Sequence, residues 1–190
     1  MRERGGIPVK LTKRLYLSLL VVLLSLCCIS LPASSTPAPK VTEVGQKVGN
    51  ISFSDLDGKK FEMEDLLKKY RVVVINFWGL RCAACIQEMP HLQALHEKYG
   101  KRVKVLGVNV DAVDGGFLKE QMEFMGLKVS YTLVPDQEFK LIDYFGLNAA
   151  PLTIVVDGEG IVRYRHEDYR LGDEKELEKV VREILESGEK

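Results

Sequence analysis

The chain has 190 residues and a formal net charge of zero, enough for one domain of ordinary size plus an extension. The charge is unevenly spread: residues 1–35 carry five basic residues (Arg2, Arg4, Lys10, Lys13, Arg14) and one acid (Glu3), leaving 22 basic against 26 acidic residues in the remainder. A mildly acidic domain has no basic face for a polyanion, so nucleic-acid binding is excluded.

The basic N-terminus leads into an uncharged apolar run, Leu15–Leu31, followed by the small residues Pro32-Ala33-Ser34-Ser35. That order is the order of an export signal. At 17 residues the run also reaches the short edge of a membrane span. Residues 1–35 are therefore assigned as a signal peptide or a retained membrane anchor. The positive flank predicts that the N-terminus stays in the cytoplasm and the domain lies outside, in the periplasm or at the cell surface. Cys27 and Cys28 read as apolar residues closing the signal, because the position that lipidation wants small is Leu26. Residues 36–47 continue a Pro- and Ser-rich stretch and read as a flexible linker, with the folded domain over 48–188.

Within the domain, Ile51–Phe53 and Lys60–Met63 flank the turn signal Asp57-Gly58, which predicts a small hairpin. Asp65–Tyr70 suits a short helix. Val72–Trp78 is a β-branched apolar run with the length of a buried strand. The helix after it places Ile86, Met89, Leu92 and Leu95 on one face and stops at Gly100. Val103–Val110 is the next strand, Gly116–Met125 a helix, Tyr131–Val134 a short strand and Gln137–Phe145 a helix. Leu152–Val156 and Ile161–Tyr164 form a hairpin across Asp157-Gly158-Glu159-Gly160, and an amphipathic helix opens at Asp173. Strands alternate with helices and a hairpin closes the sheet, so the class is α/β with a mixed sheet.

Cys82-Ala83-Ala84-Cys85 falls where the central strand delivers the chain to its helix. A two-residue gap puts both sulfurs on one helical turn, close enough to join or part. The helix dipole and free N–H groups there favour a thiolate on the first cysteine. Outside the cytoplasm such a pair tends to close unless something keeps it reduced. A zinc half-site is the competing reading, but the domain offers no second pair for the four ligands zinc takes. Haem attachment would need a histidine at position 86, which is Ile. His91, His96 and His166 show no ligand spacing with one another and read as surface or satisfied core residues.

The stretch from Asn76-Phe77-Trp78 through Cys82-Ala83-Ala84-Cys85 to Glu88-Met89-Pro90, with Ala149-Ala150-Pro151-Leu152-Thr153 before the last hairpin, resembles the TlpA/ResA-like thiol–disulfide oxidoreductases of the thioredoxin superfamily. The resemblance spans about Gly45 to Ile184. It implies a thioredoxin-like fold, a mixed central sheet flanked by helices with an N-terminal β-hairpin extension. It also implies that Cys82 is the exposed nucleophile and that Cys85 resolves the mixed disulfide. Pro151 would be a cis proline facing the cysteines, with the backbone at Ala150 pairing with the substrate chain. Trp78 is grouped with these two as a substrate-facing candidate, packing against the motif being its alternative. Glu88 matches an acidic residue that ResA-like members place near the buried thiol. Thioredoxin's own buried aspartate is replaced here by Asn76, which leaves Glu88 as the proton acceptor and donor for Cys85.

Two departures bear on redox potential. Arg81 stands where tryptophan usually precedes the first cysteine, and Ala83-Ala84 replaces a pair that often contains proline. Pro90 is expected to interrupt and bend the cysteine helix. No cofactor or metal is expected. The partners implied are proteins with disulfides, among them the haem-binding cysteines of apocytochrome c, and a membrane thiol–disulfide electron donor. A general disulfide oxidant could use the same residues. A copper chaperone on this scaffold would use a wider cysteine spacing with a distal histidine, and a peroxiredoxin would need Thr at position 79, which is Gly.

Overall fold

The computed structural model describes residues 40–187 apart from Thr42. The expected signal or anchor, with Cys27 and Cys28, lies outside the described residues. Among the described residues no helix is long and apolar enough to cross a membrane.

A two-stranded hairpin of β1 (Ser52–Ser54) and β2 (Lys60–Glu62) precedes a five-stranded sheet. The sheet contains β3 (Val72–Trp78), β4 (Val103–Asn109), β5 (Thr132–Pro135), β6 (Leu152–Asp157) and β7 (Val162–Glu167), in the order β5-β4-β3-β6-β7. Strands β3, β4 and β5 pair in parallel, whereas β6 and β7 join antiparallel. The α/β class, the mixed sheet and the N-terminal hairpin are as the sequence predicts. Among the described residues five helices complete the domain: α1 (Met63–Lys69), α2 (Ala83–Tyr99), α3 (Gly115–Phe124), α4 (Lys140–Phe145) and α5 (Asp173–Ser187).

The central strand explains its own composition. Every residue of β3 is buried. Val73, Ile75 and Phe77 face a core with Phe53, Met63 and Phe145. Val72, Val74 and Trp78 face the other core, with Cys85, Leu92, Leu118 and Val181. A strand covered on both faces reads as a continuous apolar run, since alternation has no solvent side to mark. Asn76 breaks that run at 0 % exposure, on the same face as Val74 and Trp78.

Two local expectations change. The packed chain begins at least at Val41, ahead of Val48: Val41 is buried and donates its N–H to the Tyr144 carbonyl. Gly45 and Gln46 bond backbone to backbone with Val162, and Lys47 bridges Ile161. Docking through main-chain groups leaves no periodic side-chain pattern, which is why this stretch reads as linker. The helix expected from Gln137 starts only at Lys140, because the Asp136 carboxylate accepts from the Leu141 and Ile142 N–H groups and Phe139 turns through φ 57°. Pro90 lies within the cysteine helix, whose C-cap is Gly100, the stop the sequence predicts. It sits exposed inside α2, which forgoes the bond a proline cannot donate and continues to Tyr99.

Candidate active site

Strand β3 ends at Trp78, Gly79–Arg81 form a turn, and Cys82 is the N-cap of α2. The sulfurs of Cys82 and Cys85 are joined at 2.07 Å, with Cα atoms 5.2 Å apart. Cys82 is half-buried and Cys85 is fully buried in the core beneath it. Cys85 donates its N–H to Cys82 Sγ at 3.2 Å. The first turn of α2 holds no acidic side chain, so nothing cancels the positive end of the helix at Cys82. Exposed Arg81 adds a cation beside it. Both features favour a thiolate once the bond opens.

The turn ahead of Cys82 is clamped by Asp111, which no motif in the sequence singles out. Asp111 Oδ2 accepts from the Leu80 N–H at 2.8 Å and from Asn109 Nδ2 at 2.7 Å, while Asn109 Oδ1 accepts from the Asp111 N–H. Asn109 ends β4 opposite Trp78, so the clamp ties two adjacent strand ends together. Replacing Asp111 by alanine is expected to lower the denaturant midpoint by an amount corresponding to about 1 kcal/mol. An unchanged midpoint would mean the clamp contributes nothing.

The peptide between Ala150 and Pro151 is cis, as the resemblance implies. The Ala150 carbonyl lies 3.6 Å from Cys82 Sγ, a contact without a proton while the sulfur is in a disulfide. Ala150 is half-buried and Pro151 buried, with its carbonyl taken by the Asp168 N–H. Of the two readings for Trp78, the structure shows packing against the motif and not a substrate contact. It is 0 % exposed and packs under the motif with Cys85, leaving no surface for a visiting chain. The last residue of a doubly covered strand has to face one core or the other.

Glu88 is not a solvated helix glutamate: it is 5 % exposed on the buried stripe of α2, one turn after Cys85. Its Oε1 accepts from Thr153 Oγ1 at 2.7 Å and its Oε2 from Asn76 Nδ2 at 2.9 Å. Asn76 Nδ2 also donates to Thr153 Oγ1 at 2.9 Å. Burial raises the carboxyl to about 7 despite these two donors. Asn76 Oδ1 is buried with no partner. Turning that amide by half a rotation presents an acceptor to Glu88 Oε2, the group a protonated Glu88 needs. Asn76 and Thr153 are cross-strand partners, and each interrupts an apolar strand. Two polar residues inside fully buried strands are a signal that was available in the sequence.

A half-exposed and a buried sulfur on the opening turn of a helix, opposite a cis proline, define a thiol–disulfide oxidoreductase. Residues 44–165 match the AhpC/TSA family. The thiol-disulfide oxidoreductase ResA of Bacillus thuringiensis (strain Al Hakam) is 32 % identical over 121 residues, 63 % of this chain and 67 % of that one. The chain belongs to the AhpC/TSA family and is a ResA-like protein-disulfide oxidoreductase of the thioredoxin superfamily. ResA of Geobacillus thermodenitrificans (strain NG80-2) is 27 % identical over 158 residues, covering 81 % and 87 % of the two chains. For the fold, a Chlorobium tepidum protein designated thiol:disulfide interchange protein DsbE superposes with a TM-score of 0.67 at 24 % identity, covering 76 % of this chain and 99 % of that one.

Proposed function

We propose that this oxidoreductase works outside the cytoplasmic membrane and reduces disulfides in other proteins. Haem-binding cysteine pairs of apocytochrome c are the substrate class, and a membrane thiol–disulfide carrier supplies the electrons. The unequal exposure of the two sulfurs supports this reading most directly. Cys82 as thiolate attacks a partner disulfide, forming a mixed disulfide and releasing one partner thiolate. Cys85 then attacks Cys82 Sγ, so the partner leaves with both electrons and the Cys82–Cys85 bond closes. The Ala150 carbonyl beside Cys82 offers an extended partner strand a backbone acceptor, and Pro151 holds that carbonyl in place. Glu88 accepts the Cys85 proton on oxidation and returns it on reduction. Residues 1–35 serve as export signal or tether.

The equilibrium potential of the pair tests the direction of flow. Incubation with graded glutathione ratios, followed by thiol trapping, is expected to place the potential below the glutaredoxin range of about −200 to −230 mV. A value near that of a strong oxidant, about −120 mV, would overturn the reductant reading in favour of a general disulfide oxidant.

A further inference from the structure

Glu88 lies behind Asn76 and Thr153 at 5 % exposure, so a proton entering or leaving it has to cross protein. Asn76 on β3, Thr153 on β6 and His166 on β7 are successive cross-strand partners. Partners of this kind point to one face of the sheet, so the imidazole stands beside Thr153 on the face that carries Glu88. Between them is a cavity of about 10 Å³, room for about one water molecule, lined by Glu88, Thr153, His166 and Asp173 among others. His166 is 39 % and Asp173 32 % exposed at the side chain, and His166 Nε2 lies 3.1 Å from Asp173 Oδ2. Both side chains line the cavity and both are partly open to solvent, so the pair connects the two.

We propose that His166 carries the redox-linked proton between Glu88 and solvent, with the Asp173 carboxylate orienting its ring. This rests on the proton role given to Glu88 above. During reduction an external thiolate attacks Cys82 Sγ, the Cys82–Cys85 bond breaks, and Cys85 leaves with the electron pair and takes a proton from Glu88. The imidazolium of His166 reprotonates Glu88 across the cavity and is itself reprotonated from bulk water. A second external thiol then releases Cys82 as thiolate and leaves as a disulfide. Oxidation runs the same path backwards.

The other groups around the cavity do not replace His166. Tyr164, stacked on the His166 ring, and Tyr169 are both pushed up to about 12, chiefly by burial, and stay neutral at working pH. Glu174 is held below the usual carboxylate range by backbone N–H donors, its own and that of Gly172, and also accepts from Tyr169 Oη. His91 reaches the cavity from α2 against Tyr169 and is the rival.

The test is single-turnover reduction of the oxidised full-length protein by dithiothreitol, followed between about pH 5.5 and 8.5. His166→Gln and His166→Ala are expected to slow the step by about tenfold or more near neutral pH. Added imidazole should restore the alanine variant while leaving the parent protein unchanged. His91→Gln should keep the parent rate. Parental rates in both His166 variants, slowing that imidazole does not relieve, or loss of rate in His91→Gln instead would each overturn the proposal. Glu88→Gln separates the two readings. If it is slow while the His166 variants are not, Glu88 keeps its role and His166 loses this one; if it too runs at the parental rate, the role of Glu88 itself fails.

Discussion

Replacing Cys85 by serine is expected to trap partner proteins on Cys82 as mixed disulfides, whereas replacing Cys82 by serine is expected to trap none. The asymmetry follows from exposure: Cys82 is half-buried at the helix cap, and Cys85 is wholly enclosed by the core. Only the outer sulfur is open to a protein disulfide, and only the inner one is placed to resolve the adduct. Both variants should lose turnover of a model disulfide substrate by about a thousandfold or more, since neither can complete the two-step exchange. Capture can be read on a non-reducing gel, with release by dithiothreitol. Capture by Cys82→Ser would reverse the assigned roles.

Changing Glu88 to glutamine is expected to alter how stability depends on pH, as well as the chemistry. The carboxyl sits at about 7 in the folded protein against an ordinary 4.5. The folded state therefore holds this proton more tightly than the unfolded chain does. Glu88 contributes its full share of stability below pH 4.5 and loses it as pH rises to about 7, beyond which the curve is flat again. The span corresponds to about 3 kcal/mol. A glutamine cannot ionise, and a turned Asn76 amide can accept from it, so the variant should gain on the parent protein by that amount across the window. Urea midpoints at about pH 4.5, 6 and 8 on the oxidised forms measure it. Parallel curves would show that Glu88 titrates as an ordinary surface acid. In the reduced protein, loss of the buried carboxylate should shift the thiol titration curve of the pair, and an unmoved curve would count against a role for Glu88 beside Cys85.

Motifs with a local cause could be read without coordinates. The cysteine pair at a strand–helix junction, the hairpin at Asp157-Gly158, the amphipathic helix from Asp173 and the alternation that implies a mixed sheet all follow from spacing and turn chemistry over a few residues. The cis bond before Pro151 came from resemblance, because base rates for X–Pro bonds favour trans. Other features depend on chain segments far apart. Asp111 clamps the turn at Leu80 from 31 residues away, and Thr153 reaches Glu88 across 65. His166 read as a surface or satisfied core residue with no ligand spacing to the other histidines, yet strand register sets it beside Thr153. Glu88 could equally have been a solvated helix residue on its own sequence. Its burial is decided by the packing of α2 over the row formed by Asn76 and Thr153, since the free energy of a buried charge belongs to what surrounds it and not to its neighbours in the chain.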